Sequence, residues 1–270
     1  MTRPLRVGSV PYLVGRPVDC TLGDETGIDF GCEEPARLVE GLRSGRLDVA
    51  LVSSIELFRR EGYSYIAGPC VAGHGYVGSV QVFLRRPLAE VSTIAMDPAS
   101  RTAATLVRCM LADRPGGAPG YLELEPGEDP SQAGTDAWLS IGDRALRDVL
   151  APDAPPVFNP SEEWAARLGM PFVFAAWIIA PGVEIEPHLD AFRRAHETGQ
   201  ARIDDLALQA SNEWELPPGA AREYLARECT YDLGTQMHPS MMAFRDLAAP
   251  LELCQGDLVP TPVTLSATHA

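Results

Sequence analysis

The sequence predicts an α/β protein of two lobes, the first of them discontinuous, with a ligand cleft where the lobes meet. Three observations carry that prediction. Short apolar runs of strand length alternate with amphipathic stretches of helical period. Two of the apolar runs, Ser79 to Leu84 and Met170 to Ile179, suit strands that cross from one lobe to the other and back. A single design also recurs along the chain: a strand runs into a Ser- or Gly-rich turn that opens a helix, whose free N–H groups form a natural seat for an anion. The expected boundaries are 1–84 with 176–270 for the first lobe and 85–175 for the second.

Composition narrows the function. With 270 residues and 46% hydrophobic content the chain can bury two cores. A formal charge of -15 argues against nucleic acid as a partner, because phosphate contacts need clustered positive charge and no such cluster appears, and it disfavours an anionic membrane surface. All 22 basic residues are arginine, so neither a Schiff base nor a phosphate-loop lysine is available. Any anion must meet arginine or backbone. The five histidines show no metal-ligand spacing, and no metal or other cofactor is expected. Cys20, Cys32, Cys70, Cys109, Cys229 and Cys254 lie far apart without a Cys-x-x-Cys pair and read as reduced and mostly buried. Strand-like sequence begins by Leu5, leaving no room for an export signal, and no run reaches membrane-spanning length, so the expected location is the cytoplasm.

The organising stretch is Leu5-Arg6-Val7-Gly8-Ser9-Val10-Pro11-Tyr12-Leu13, an apolar strand that ends in small and hydroxylated residues. Arg16-Pro17 opens a short helix, and Ile28 to Cys32 reads as a second strand. Pro35 suits the first position of a helix with Leu38, Val39 and Leu42 on one face and Gly45 as its C-terminal cap. Asp48 to Val52 is the next strand. Ser53 has two compatible readings: a capping box with Glu56, or a turn in which Ser53 caps while Ser54 faces the cleft. Ser79 begins the first crossing strand beside Gly78, where a hydroxyl can reach a bound molecule.

The second lobe opens with Val91 to Met96. Ser100 is the expected N-cap of a helix from Thr102 to Leu111, and Arg101 places a guanidinium beside the free donors of its first turn. That pairing suits a carboxylate, since a planar fork meets both oxygens; the alternative is a surface arginine. Residues 113–136, with four prolines and five glycines, read as loops around one strand at Tyr121 to Leu124. Ala137 to Ile141 is a strand, ended by Gly142-Asp143, where Asp143 suits an N-cap. Met170 to Ile179 is apolar enough for a strand covered on both faces, with Phe172 and Trp177 either walling the cleft or filling core. From His188 to Leu247 the pattern is helical, broken at Pro217-Pro218 and near Gly234, giving three helices packed on the first lobe. The Pro/Thr/Ser-rich tail beyond Gly256 reads as weakly ordered.

Several of these stretches, in this order and spacing, resemble the chorismate dehydratases of the futalosine route to menaquinone. They are Arg6 to Leu13 with Arg16-Pro17; Gly45-x-Leu47 to Val52 with Ser54-Ile55-Glu56; Ser79-Val80; Asp97-x-x-Ser100-Arg101-Thr102; Ile141-Gly142-Asp143; Gly169 to Ala175 with Trp177; and Tyr231 to Gly234. The resemblance implies a two-lobed type II periplasmic-binding-protein fold with the ligand cleft between lobes. It implies removal of water from chorismate, a small dicarboxylate, to give 3-[(1-carboxyvinyl)oxy]benzoate. On this reading Ser79 is catalytic, and Ser9, Val14, Ser54, Ser100, Arg101, Thr102, Gly142, Asp143 and Trp177 bind substrate. The resemblance also implies that the substrate's side-chain carboxylate takes the proton. The chain departs from the family pattern at Val14, where the family has an asparagine that can hydrogen-bond the substrate.

Three other readings stand beside this one. A sister enzyme, 1,4-dihydroxy-6-naphthoate synthase, is expected to use a cleft histidine, and no histidine follows a second-lobe strand here. A transport binding protein is disfavoured by the missing export signal and favoured by Val14. A transcriptional effector domain would need a helix-turn-helix ahead of the first strand, and none is present.

Overall fold

The computed structural model describes residues 3–213, 215–217 and 219–265. The first half of the chain runs β1 (Leu5–Ser9), α1 (Arg16–Asp19), β2 (Ile28–Cys32), α2 (Pro35–Ser44), β3 (Val49–Ser53), β4 (Ser64–Gly73), β5 (Val80–Leu84), β6 (Thr93–Met96), α3 (Thr102–Leu111), β7 (Gly120–Glu123) and β8 (Ala137–Ile141). The second half runs α4 (Gly142–Leu150), β9 (Val157–Phe158), α5 (Pro160–Leu168), β10 (Phe172–Ile179), α6 (Leu189–Ala201), α7 (Ile203–Glu213), α8 (Ala220–Glu223), β11 (Cys229–Asp232), α9 (Met237–Ala248) and β12 (Thr261–Thr264).

The strands form two sheets. One has the order β11-β4-β10-β3-β1-β2, with β12 also on β4; the other has the order β7-β6-β8-β5-β9. β1 lies parallel to β2 and β3, whereas β10 returns antiparallel between β3 and β4. That central position accounts for the unbroken apolar run of β10. Each sheet has its own core. Beneath the first, Trp164, Phe172 and Phe244 pack edge to face with ring centroids 4.8 to 6.1 Å apart. The second core is smaller and gathers residues such as Val82, Ile94, Val107 and Leu139.

The sheets are joined by two connections, residues 74–79 and 159–171. Both leave the first sheet at the neighbouring pair Gly73 and Phe172. Asn159 ties one to the other, its side-chain amide donating to the carbonyls of Val77 at 2.9 Å and Val80 at 3.3 Å.

Four expectations are corrected. The boundaries at 84 and 175 leave β5 with the first lobe and the start of β10 with the second, but β5 pairs with β8 and β9 and all of β10 lies in the first sheet. All five β5 residues are buried, and the second sheet flanks them on both sides. The described part of the tail, through residue 265, includes a strand: β12 pairs in parallel with the half of β4 that β11 leaves free. The helical stretch after His188 is interrupted by β11, where Cys229-Thr230-Tyr231 alternates buried and half-buried residues at strand period. The expected break at Pro217-Pro218 falls partly outside the described residues; Leu216 and Pro217 are non-helical. Finally, no Ser53–Glu56 capping box forms. Glu56 is wholly buried and takes the Arg43 guanidinium on both oxygens, at 2.6 and 2.8 Å.

Candidate active site between the sheets

The strand ends of both sheets meet at an open cleft of about 710 Å³, counting its mouth. Each wall follows from a local feature of the chain. β1 stops at Ser9, and the turn after it presents Val10, Tyr12 and Val14. β3 contributes Ser53, the start of β5 contributes Ser79 and Val80, and the first turn of α3 contributes Arg101, Thr102 and Ala103. The opening of α4 lies opposite Tyr12. Gly142 sits there at φ +71, and a Cβ on it would stand 3.3 Å from the Tyr12 ring, so this position needs glycine for both backbone and space. Its N–H donates to the Ser79 carbonyl at 2.9 Å.

Of the residues singled out in the sequence, Val14, Ser79, Ser100, Arg101, Thr102 and Gly142 line this cleft together. Ser9, Ser54, Asp143 and Trp177 do not. Ser9 is buried and donates to the Asp19 carboxylate, because the next residue, Val10, takes the cleft side and adjacent side chains point apart. The same alternation separates Ser53, on the cleft, from Ser54, whose hydroxyl donates to the Val173 carbonyl at 2.7 Å. Trp177 lies two residues beyond the cleft-lining Ala175 and packs edge-on against Phe192 at 5.1 Å. Phe172 likewise fills core, and Phe174 forms the aromatic wall.

Asp143 is the second residue of α4 rather than its N-cap. Its carboxylate accepts the Leu13 N–H from the other side, at 3.2 and 3.3 Å. Burial is the dominant influence and pushes its carboxyl up to about 6, with the Leu13 N–H and nearby Arg147 and Arg16 opposing. Thr102 makes a second link across, accepting the Ile55 N–H at 3.4 Å. Ser100 accepts the Ala104 N–H at 3.2 Å, so its hydroxyl does serve the start of α3.

The electrostatic character of the cleft is simple. Arg101 is the one basic residue on its wall among the described residues, and no described carboxylate pairs with it. No Asp, Glu or His lines the cleft among the described residues. Apart from Arg101 the walls are largely aliphatic and aromatic, with hydroxyls at Tyr12, Ser53, Ser79, Ser100, Thr102 and Tyr224. The Tyr12 hydroxyl is committed to Glu34 at 2.9 Å. Tyr224 escaped the sequence reading because it falls in a stretch of plain helical period; it follows α8 in a π-turn over Tyr224–Glu228. Its hydroxyl donates to Ser79 Oγ at 2.7 Å, and burial holds the phenol well above its ordinary pKa. Such widened turns gather at functional sites.

Comparison with known proteins places the chain in a family and a fold. Residues 5–250 match the profile of the family described as Menaquinone biosynthesis. A chorismate dehydratase of Thermus thermophilus is 30% identical over 210 residues, covering 71% of this chain and 76% of that protein. Among solved structures, an Archaeoglobus fulgidus protein superimposes with a TM-score of 0.76 at 15% identity, over 93% of this chain and 98% of the other. The alkanesulfonate-binding protein SsuA of Xanthomonas axonopodis, bound to MOPS, does so with a TM-score of 0.66 at 16% identity, over 98% and 100%. The fold is that of the periplasmic binding proteins. No helix among the described residues is long and apolar enough to cross a membrane. With the family profile spanning both sheets and the cleft between them, the chain belongs to the menaquinone-biosynthesis family.

Proposed function

We propose that this protein is a cytoplasmic chorismate dehydratase, a carbon–oxygen lyase that eliminates water from chorismate to give 3-[(1-carboxyvinyl)oxy]benzoate on the futalosine route. The observation that carries the reading is the isolated Arg101 at the start of α3, facing a cleft whose described lining has no acid or imidazole. An unpaired guanidinium beside the unbonded N–H groups of a helix start suits a carboxylate.

The chemistry assigns which carboxylate. Breaking the ring C–H bond next to the ether oxygen sends its electron pair through the diene toward the ring carboxylate. A cation at that carboxylate therefore stabilises the charge as it develops. The side-chain carboxylate must stay basic to accept the proton, and an arginine on it would oppose that. Arg101 accordingly meets the ring carboxylate, and the side-chain carboxylate is left toward the apolar walls. The absence of a described acid or histidine on the lining supports the substrate as its own base and ranks the histidine-dependent naphthoate synthase second.

The test is direct. Purified protein incubated with chorismate, without added metal or nucleotide, is expected to yield the aromatic enol ether, followed by chromatography and mass. Chorismate that binds but is never converted would instead favour plain binding, the reading that Val14 on the cleft wall supports.

A further inference from the structure

Resting on the dehydratase reading, we propose that Tyr224 is a positioning residue of the reaction: by donating to Ser79 Oγ it turns the Ser79 hydrogen toward the hydroxyl that leaves the substrate. A serine hydroxyl has one hydrogen to give and two lone pairs to receive with. The Tyr224 hydroxyl, 2.7 Å away, takes a lone pair. The Ser79 carbonyl is occupied separately, by the Gly142 N–H. What Ser79 retains is its own hydrogen, on a side chain that lines the cleft. Burial keeps Tyr224 protonated and therefore a donor at all working pH values.

The local backbone is arranged around this pair. The π-turn runs from Tyr224 to Glu228, and both of its ends hold the same dipeptide. Tyr224 takes the Ser79 hydroxyl, and the Glu228 carboxylate accepts the Gly78 N–H at 2.7 Å. Residues 78 and 79 lie at the end of one connection between the sheets, where the Asn159 amide and the Gly142 N–H hold the neighbouring carbonyls. One anchor holds the Ser79 hydroxyl and the other the backbone just before it.

In the elimination the ring C–H and the C–O bond to the departing hydroxyl both break, and the oxygen leaves with the bonding pair. The proton lost from the ring ends on that oxygen, so the product is water. Ser79 and Tyr224 keep their protons throughout. Their part is to lower the charge on the departing oxygen, and a hydroxyl that is itself accepting a hydrogen bond donates more strongly. Val14 faces the same cleft with no hydrogen-bonding atom, so it cannot share this role.

The experiment is a double-mutant cycle on chorismate turnover with wild type, Y224F, S79A and Y224F/S79A. Y224F is expected to lower kcat roughly tenfold with KM changed less than about threefold, and to change kcat less than about twofold once Ser79 is already alanine. Equal loss in both backgrounds, or wild-type kcat in Y224F, would overturn the role. A packing defect that acts independently of Ser79 would instead reduce both backgrounds alike. If wild type does not turn chorismate over, the dehydratase reading falls and this role with it; if wild type is active and Y224F matches it, only the role of Tyr224 falls.

Discussion

The Asp143 carboxylate, in the first turn of α4, holds the Leu13 N–H with both oxygens, so the two walls of the cleft are joined by one buried acid. Its carboxyl binds a proton more tightly in the folded chain, at about 6, than an unfolded aspartate does near 4. The stability this acid contributes is therefore fully present below pH of about 4 and is lost as the pH rises through about 6. Asp19, which burial also pushes up to about 6, adds a change of the same sign in the same window. In D143N that part of the pH dependence vanishes. The unfolding free energy of wild type relative to D143N is expected to decline between pH 4 and 7, by about 1.4 kcal/mol for each pH unit of raised pKa. Parallel urea-denaturation profiles for the two proteins would sink the assignment.

Arg43 and Glu56 form a partly buried charge pair worth testing. Glu56 is wholly enclosed, whereas the Arg43 side chain keeps 41% of its surface exposed. Replacing Arg43 by methionine strands a carboxylate without its cation, and R43M is expected to lose about 3 kcal/mol, the low end of the range for broken buried pairs because one partner is solvated. R43M/E56L should regain most of that loss. A single variant within about 0.5 kcal/mol of wild type, the usual result for a surface change, would show the pair to be inconsequential.

Arg101 allows the opposite pattern. No described carboxylate pairs with it, so R101M should leave the melting temperature nearly unchanged while lowering kcat/KM for chorismate roughly 10- to 100-fold, the worth of a hydrogen bond to a charged group, with a fall in kcat as part of the loss. R101K should recover only part, since an ammonium cannot meet both oxygens at once. Unaltered steady-state kinetics for R101M would remove the arginine from the site.

At Val14 the family asparagine can be restored. With Ser79 held by Tyr224, V14N is expected to change kcat by less than about threefold, within the scatter of small polar changes at a formed site. A tenfold rise would show that valine is costly here and that the Ser79–Tyr224 pair does not replace the amide.

How far the sequence could be read depended on the kind of signal. Local signals translated well: α3 begins and ends at Thr102 and Leu111 as its period implies, and Gly45 closes α2 at φ +71. What failed needed a partner distant in the chain. Ser9 and Ser54 sit in the right turns, but which of two adjacent side chains meets the cleft is fixed by sheet alternation and by neighbours such as Asp19 and Val173. Tyr224 carried no signal, because a π-turn differs from an α-helix by one hydrogen-bond register that composition does not encode. β12 was hidden for a similar reason: a Pro- and Thr-rich run becomes a strand only where an open sheet edge awaits it.

The shared departure point of the two connections has a mechanical consequence. Because Gly73 and Phe172 are cross-strand neighbours and Asn159 stitches the outgoing segments together, the lobes are bound like the covers of a book along one spine. Swinging about that spine needs only a few backbone torsions, whereas sliding would have to tear the stitching. On the cleft side of that spine the lobes are fastened by the Leu13–Asp143, Ile55–Thr102 and Arg59–Thr105 bonds and by Leu106 and Met110 of α3, which pack into the first core.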